Sequence, residues 1–556
     1  MNKKVCSFPI LFALLALLIG TCAVVFPASA QAAPTSTGSI TVSGTVASSY
    51  DAYQIFSANV VDGDSDAKIA TDLAWASDAV RDAALPVLHS AGMPNSQTTA
   101  QEATEWLNTD SHLTSALSAQ LARSLQSSGA VSVALNAGTA AELPCGYWLI
   151  VADDDAIAQG EAGTAPIMAL VGGSAVTVKP KAATPKVSKH VLEDSTAAWQ
   201  KAADATVADD LYWRLSATVP AGLTAYDTYT VQFVDTMSAG LDPSKVAASM
   251  RVYVAAGADG GFGAVSAGKD GRAGTEPAKG WTDITAQCAT KVAADGKTFT
   301  VRTGDLIAAL GGADAFTAGA RVVAVYNAPL NSACNHGIAK GNPNEVYLRY
   351  PRSPLAEQSG DAGFTRTPSD DACAYTWDLA LTKRGSDGDK PLAGAVLSIA
   401  DDRGRTLAAD GTWDAEGKAT VTTGEDGRVT VSGVDSGKLE VRELKAPKGY
   451  TAFEGTRSVT VKAEGLDVDQ VAAAKPKLTI TAESPLRADS ADGSTGSLEA
   501  SIINTPNGTP PSITTGGFMP STGDMAMYAA AAAAVAGAAL IVVALLVKRG
   551  GGSHKE

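Results

Sequence analysis

Short runs of alternating apolar and polar residues recur along most of this chain, and turn pairs break them. Ser39-Ile40-Thr41-Val42-Ser43-Gly44-Thr45-Val46 and Tyr229-Thr230-Val231-Gln232-Phe233-Val234 are two such runs. A period of two puts one face of a strand in a core and the other in water. Gly146-Tyr147-Trp148-Leu149-Ile150-Val151 and Ala175-Val176-Thr177-Val178 add strands, and Asp410-Gly411 and Asp426-Gly427 are hairpin turns. Regular short strands with this punctuation lead to β-sandwiches. Aromatic residues are only 6% of the chain against 45% hydrophobic, so the cores must be built mainly of Val, Leu, Ile and Ala. One stretch departs from the pattern. Leu113, Leu117, Leu121 and Leu125 recur every four residues between Ser111, a candidate cap, and Gly129, a candidate stop. The expected fold is mainly β, with tandem immunoglobulin-like sandwiches behind an α+β N-terminal domain.

Both ends carry processing patterns. Lys3 and Lys4 precede an apolar stretch that closes on Ala28-Ser29-Ala30. That order is a secretory signal peptide, residues 1–30, with Ala32 or Ala33 as alternative cleavage points. A second apolar run, residues 525–547, is long enough to span a bilayer as a helix, and Lys548 and Arg549 after it keep the tail, residues 548–556, cytoplasmic. Phe518-Met519-Pro520-Ser521-Thr522-Gly523 stands just before this run, at the end of a Pro/Gly/Thr stalk over residues 506–517.

Three bodies are expected between these ends, over residues 35–181, 186–365 and 374–505. The formal net charge of −15 argues against nucleic acid as a partner. Gly263 to Asp270 nearly spells a phosphate-binding loop, but Asp270 stands where a hydroxyl is needed. Asp62-Gly63-Asp64-Ser65-Asp66 begins like a calcium loop, but Ala67 and Leu73 replace its turn glycine and its bidentate glutamate. His89, His112, His190 and His336 fit neither a triad nor a metal site. No metal, no cofactor and no enzymatic turnover are expected. Export permits disulfides. Of Cys145, Cys288, Cys334 and Cys373, a Cys334–Cys373 bridge between the second and third bodies is favoured, with Cys145 and Cys288 left free.

The C-terminal order of pentapeptide, apolar helix and basic tail resembles the cell-wall sorting signal of Gram-positive surface proteins. The resemblance implies cleavage by a sortase between Thr522 and Gly523, with Met519 in place of the usual Leu. In the third body, Asp378-Leu379-Ala380-Leu381-Thr382-Lys383 and Leu439-Glu440-Val441-Arg442-Glu443-Leu444-Lys445-Ala446-Pro447-Lys448-Gly449-Tyr450 resemble the opening strand and E-box of sortase-assembled pilins with a collagen-adhesin B-type domain. Leu439 and Leu444 replace the usual Tyr and Thr of that box. Ile502-Ile503-Asn504-Thr505 carries the matching asparagine. The resemblance implies an isopeptide bond from Lys383 to Asn504, promoted by Glu443. For the second body it implies Lys189, Asp235 as promoter, and Asn344, with Lys186 and Asn342 as alternatives in register. Val176-Thr177-Val178-Lys179-Pro180-Lys181 resembles the pilin motif and makes Lys181 the candidate nucleophile for the next subunit's Thr522, with Lys179 as runner-up.

The chemistry sets its own requirement. A solvated lysine is protonated and cannot attack an amide, but burial among apolar side chains disfavours its charge. The same burial lets a promoter carboxyl keep its proton and polarise the asparagine carbonyl.

Signal peptide, pilin lysine, two isopeptide domains, E-box and sorting signal follow the order found in backbone pilins. The resemblance implies a shaft subunit of a covalent surface fimbria, anchored to the cell wall. Its implied partners are a class C pilin sortase and a housekeeping sortase, further copies of itself, minor and tip pilins, peptidoglycan and host-surface ligands. The alternative is a monomeric wall-anchored adhesin that binds a host ligand through its first body.

Overall fold

The structure is a computed structural model that describes residues 36–508, apart from 45, 65–66, 110, 182, 222, 258–279 and 359. The signal segment, the sorting residues 518–523, the apolar run 525–547, the tail and all but the first residues of the stalk lie outside the described residues. So does most of the glycine-rich stretch from Gly257 to Gly280. Among the described residues no helix is long and apolar enough to cross a membrane. Strand is the dominant element, and the chain is mainly β.

The N-terminal part is built on one strand, Gly146–Ala152, whose apolar run has no polar alternation because both of its faces are covered. Leu149 and Val151 face three helices, α1 (Asp78–Ser90), α2 (Ala100–Asn108) and α3 (Ser115–Ser128). Trp148 and Ile150 face a small sheet of Ala140–Pro144, Thr37–Val42 and Val176–Val178. The larger sheet runs in the order Lys68–Trp75, Ser49–Asp62, Gly146–Ala152, Ile167–Val171. Helix α3 starts later than the leucine spacing suggests. Its cap is Thr114, whose hydroxyl accepts from the Leu117 N–H, while Ser111 has a φ of +59° and Leu113 is exposed ahead of the helix. Gly129 ends it in the left-handed region at φ +70°. Helices α1 and α2 carry too many alanines and polar residues to stand out from an apolar-periodicity scan. Gly146 has a φ of +142°, and a Cβ there would fall 2.0 Å from the Phe56 carbonyl oxygen across the sheet. Gly146→Ala is therefore expected to cost about 2–4 kcal/mol, read as an earlier thermal transition of this part of the chain.

The middle of the chain is a sandwich. One sheet runs Ala198–Gln200, Val187–Glu193, Tyr212–Thr218, Arg321–Asn327, Arg251–Ala255, Thr282–Asp283. The other runs Ala202–Asp204, Asp370–Tyr375, Asn342–Pro351, Gln232–Met237, Thr298–Arg302, Ala289–Val292. The segment Asp370–Tyr375, beyond residue 365, pairs with Asn342–Pro351 and so completes this sandwich. Trp213, Leu215, Phe233, Phe299, Tyr326 and Leu348 fill the space between the sheets.

The last part is a second sandwich. Its first strand, Trp377–Gly385, lies parallel to its last, Ser497–Pro506. Arg428–Val434 flanks the first, while Leu486–Asp492 and the short Tyr450–Thr451 both pair with the last. The facing sheet is centred on Val396–Ala400, Gly437–Lys445 and Thr456–Glu464. Gly411 and Gly427 take φ values of +85° and +74°, as Asp-Gly turns require.

The two sandwiches meet through a carboxylate cluster. Asp204 accepts from Trp377 Nε1 at 2.6 Å and from the Ser436 N–H at 3.0 Å. Arg403 and Arg405 pair with Asp209, and Arg403 also lies 3.6 Å from Asp194. Burial, then the charge of Asp204, pushes Glu193 up to about 7, and Asp194 and Asp435 move the same way, chiefly by burial. A carboxyl whose folded value lies above its unfolded one costs nothing when both states are protonated, and destabilises the fold as pH rises between the two values. Thermal stability of the sandwiches is thus expected to fall as pH rises from about 4.5 to 7. Glu193→Gln should flatten that slope.

Candidate functional site: two buried lysines

Sandwich strands place every second residue inward, and those slots normally hold apolar side chains. Three inward slots of the last sandwich break that rule. Lys383 follows Leu379 and Leu381 on the first strand. Asn504 follows Ala500 and Ile502 on the last. Glu443 follows Leu439 and Val441 on Gly437–Lys445, in the facing sheet. In the parallel ladder Lys383 sits opposite Ile502 and Gly385 opposite Asn504, so lysine and asparagine share a face on neighbouring strands. Lys383 is 0% exposed and Asn504 2%.

The three groups meet. Lys383 Nζ donates to Asn504 Oδ1 at 2.5 Å and lies 3.1 Å from Glu443 Oε1. Asn504 Nδ2 donates to the same Glu443 oxygen at 2.8 Å. The second Glu443 oxygen is held by the Phe453 N–H at 3.1 Å, and the Phe453 ring lies 5.4 Å from Lys383 Nζ. Burial, opposed by the Glu443 charge, brings Lys383 down to about 8. The neutral amine that can attack is therefore far more accessible near neutral pH than for a lysine in water. The promoter sits differently from the arrangement anticipated in the sequence. Its oxygen touches the attacking amine and the amide nitrogen that would leave, not the carbonyl oxygen.

The middle sandwich repeats the pattern with different residues. Lys189 on Val187–Glu193 faces Asp235 on Gln232–Met237, from one sheet to the other, and both are 0% exposed. They form an ion pair. Burial lowers Lys189 to about 8 and raises Asp235, while their mutual attraction opposes both shifts. Asn344 lies on the strand next to Asp235, opposite Met237, and is also fully buried. Its Nδ2 contacts Tyr326 Oη at 2.8 Å, and this hydroxyl is also 2.9 Å from Lys189 Nζ. Sequence reasoning missed Tyr326. Its strand, Arg321–Asn327, is apolar between its two end residues, so one more aromatic looked like core. The alternatives lie elsewhere. Asn342 is buried, but its amide is held by Asn335 and the Ala374 carbonyl, and Lys186 is exposed.

The remaining candidates are dispersed. Lys179 and Lys181 are both exposed, immediately after the strand Val176–Val178. Met519, Pro520, Ser521, Thr522 and Gly523 lie outside the described residues. The Cys334–Cys373 bridge is corrected: both residues carry free thiols, as do Cys145 and Cys288. The Cys373 sulfur is turned under Gly341, where an added Cβ would lie 2.5 Å from it, and Cys334 packs by its backbone against Gly240. Burial pushes the thiols of Cys288, Cys334 and Cys373 up to about 11, which leaves them unreactive. Among the described residues no cluster of His, Cys, Asp and Glu could hold a metal ion.

Comparison with known proteins bears on the part that holds the Lys383 site. Residues 378–475 match a family model described as SpaA, prealbumin-like fold domain. The trypsin-resistant surface T6 protein of Streptococcus pyogenes serotype M6 is 29% identical over 143 residues, which is 24% of this chain and 24% of that protein. Two solved structures resemble the chain at low identity. The T6 backbone pilin of serotype M6 Streptococcus pyogenes has a TM-score of 0.46 and 17% identity, over 85% of this chain and 98% of that one. The full-length major pilin SpaD of Corynebacterium diphtheriae has a TM-score of 0.41 and 15% identity, over 86% and 100%. Residues 378–475 thus match a SpaA prealbumin-like fold domain, in a chain similar to the major pilin backbone subunits of Gram-positive bacteria.

Proposed function

We propose that this chain is the structural subunit of a covalently polymerised surface pilus, with two internal isopeptide bonds, Lys189–Asn344 and Lys383–Asn504. The observation that carries the reading is the meeting of Lys383, Glu443 and Asn504 in a core that otherwise excludes charge. An ion pair alone would leave the buried amide of Asn504 without a purpose, and replacing such a trio by apolar residues costs a fold little or nothing. Its contacts suit a reaction. Neutral Lys383 Nζ attacks Asn504 Cγ, Glu443 takes a proton from the amine and returns it to Nδ2, and ammonia leaves. One oxygen placed 3.1 Å from the nucleophile and 2.8 Å from the leaving nitrogen serves both transfers. The rigid core supplies the proximity that the uncatalysed reaction lacks.

Between subunits, the proposed link joins Thr522 of one copy to Lys181 of the next through a class C pilin sortase. A housekeeping sortase would fix the finished shaft to peptidoglycan, and minor pilins would share it. The exposure of Lys181 beside the last strand of the first body favours this polymer over a monomeric adhesin. Intact-mass measurement tests the internal bonds. The chain should be lighter than its sequence by two ammonia molecules, and a mass equal to the sequence sinks the proposal.

A further inference from the structure

The two lysine sites differ in how the promoter reaches the amide. In the last sandwich one Glu443 oxygen touches both Lys383 Nζ and Asn504 Nδ2. Asp235 is one methylene shorter. Its carboxylate bonds to Lys189 and to the Tyr326 hydroxyl, which donates to Asp235 Oδ2 at 3.1 Å. The Asn344 amide nitrogen makes its contact with that hydroxyl instead. Tyr326 Oη thus accepts from Lys189 Nζ and Asn344 Nδ2 and donates to Asp235, which uses its whole hydrogen-bonding capacity on the three reacting groups. It is 0% exposed, so water cannot take its place. Phe299 packs against its ring, and Trp213 is its neighbour on the adjacent strand.

We propose that Tyr326 is a catalytic residue of the middle sandwich, relaying to Asn344 the proton that Lys189 gives up. The inference rests on the reading that Lys189 and Asn344 become joined. The Lys189 Nζ–Asn344 Cγ bond forms and the Cγ–Nδ2 bond breaks. Lys189 reacts as the neutral amine, and Asp235 takes one proton from Nζ and passes it to the phenol oxygen. The phenol turns its own hydrogen to Nδ2, which leaves as ammonia, and Asp235 and Tyr326 end as they began. Asp plus Tyr does here what Glu443 does alone in the other site.

The test follows bond formation in the full chain during cell-free synthesis, by intact mass and by peptide mapping of each link. In the unaltered chain both links should form. Tyr326→Phe should slow the Lys189–Asn344 link roughly a hundredfold or more and leave the Lys383–Asn504 link at its normal rate. Adding Asp235→Glu to that variant supplies the missing reach and should restore the link, which a purely packing role for Tyr326 would not predict. A Tyr326→Phe chain that links both sites at the normal rate overturns the inference. If Tyr326→Phe does not fold, a chain made with ring-fluorinated tyrosine decides. Its more acidic hydroxyl should shift the pH profile of the Lys189–Asn344 link alone, and an unmoved profile overturns the relay. Absence of the Lys189–Asn344 link from the unaltered chain would instead overturn the reading on which the relay rests.

Discussion

Lys181→Ala is expected to reduce the ladder of high-mass species in a cell-wall extract to a single monomer band, with export of the chain unchanged. The effect should be all or none, because in the proposed assembly the acyl-enzyme on Thr522 would need an amine to join the next subunit and alanine offers none. Lys181 is exposed, so its removal leaves no buried hole and should not disturb the first body. Lys181→Arg should fail equally, since a guanidinium stays charged where an amine can be deprotonated. Lys179→Ala is the necessary partner experiment. Both lysines flank Pro180 in an exposed segment, and only the chemistry of attachment separates them. A ladder that survives Lys181→Ala but not Lys179→Ala would move the nucleophile two residues. A ladder that survives both would remove this segment from assembly and leave the adhesin reading.

What the sequence made legible follows from what period-two patterns can show. Lys383, Glu443 and Asn504 each stand in register with a run of inward apolar residues, which agrees with the burial their chemistry requires, but the resemblance and not the alternation picked them out. Lys189, Asp235 and Asn344 also face inward, but Asn342 shares the parity and burial of Asn344, so alternation did not separate the two. Tyr326 was not readable, because its strand is buried along almost its whole length and shows no alternation for a polar tip to interrupt. Helix α3 was recognised from its leucines but entered too early, because Leu113 shares their spacing without sharing their environment. The last strand of the middle sandwich was hidden for another reason. Asp370–Tyr375 follows a Thr-Pro-Ser turn that reads as a linker, and only its pairing with Asn342–Pro351 assigns it to that sheet. The cysteine bridge failed because spacing says nothing of the direction in which a thiol points.

Glu443→Gln is the second decisive change. It keeps the size of the side chain and an oxygen for the Phe453 N–H, but it cannot carry a proton between Lys383 and Asn504. The third body is expected to fold without its link, and the intact mass should rise by one ammonia apart from the substitution itself. An unshifted mass would show that Glu443 promotes no bond. The mechanical consequence follows from strand order. In the proposed shaft, tension would enter this body at Trp377 and leave near Pro506, on adjacent parallel strands, which would be pulled past each other in shear. With the link in place, load crosses from Lys383 to Asn504 through covalent bonds. The chain between these residues, which stand 121 positions apart, then carries none of it. Without the link, the same load falls on a non-covalent sandwich whose whole stability is about 5–15 kcal/mol. Closing a loop of that length is worth roughly 5 kcal/mol if it acts on the unfolded state as a disulfide does. Its loss should lower the melting temperature of this body by roughly 10–20 °C and open it to proteases. Under force the difference should be larger than under heat. The unlinked body should lengthen by most of its chain in single-molecule pulling, whereas the linked body should extend only by the short segments outside Lys383 and Asn504.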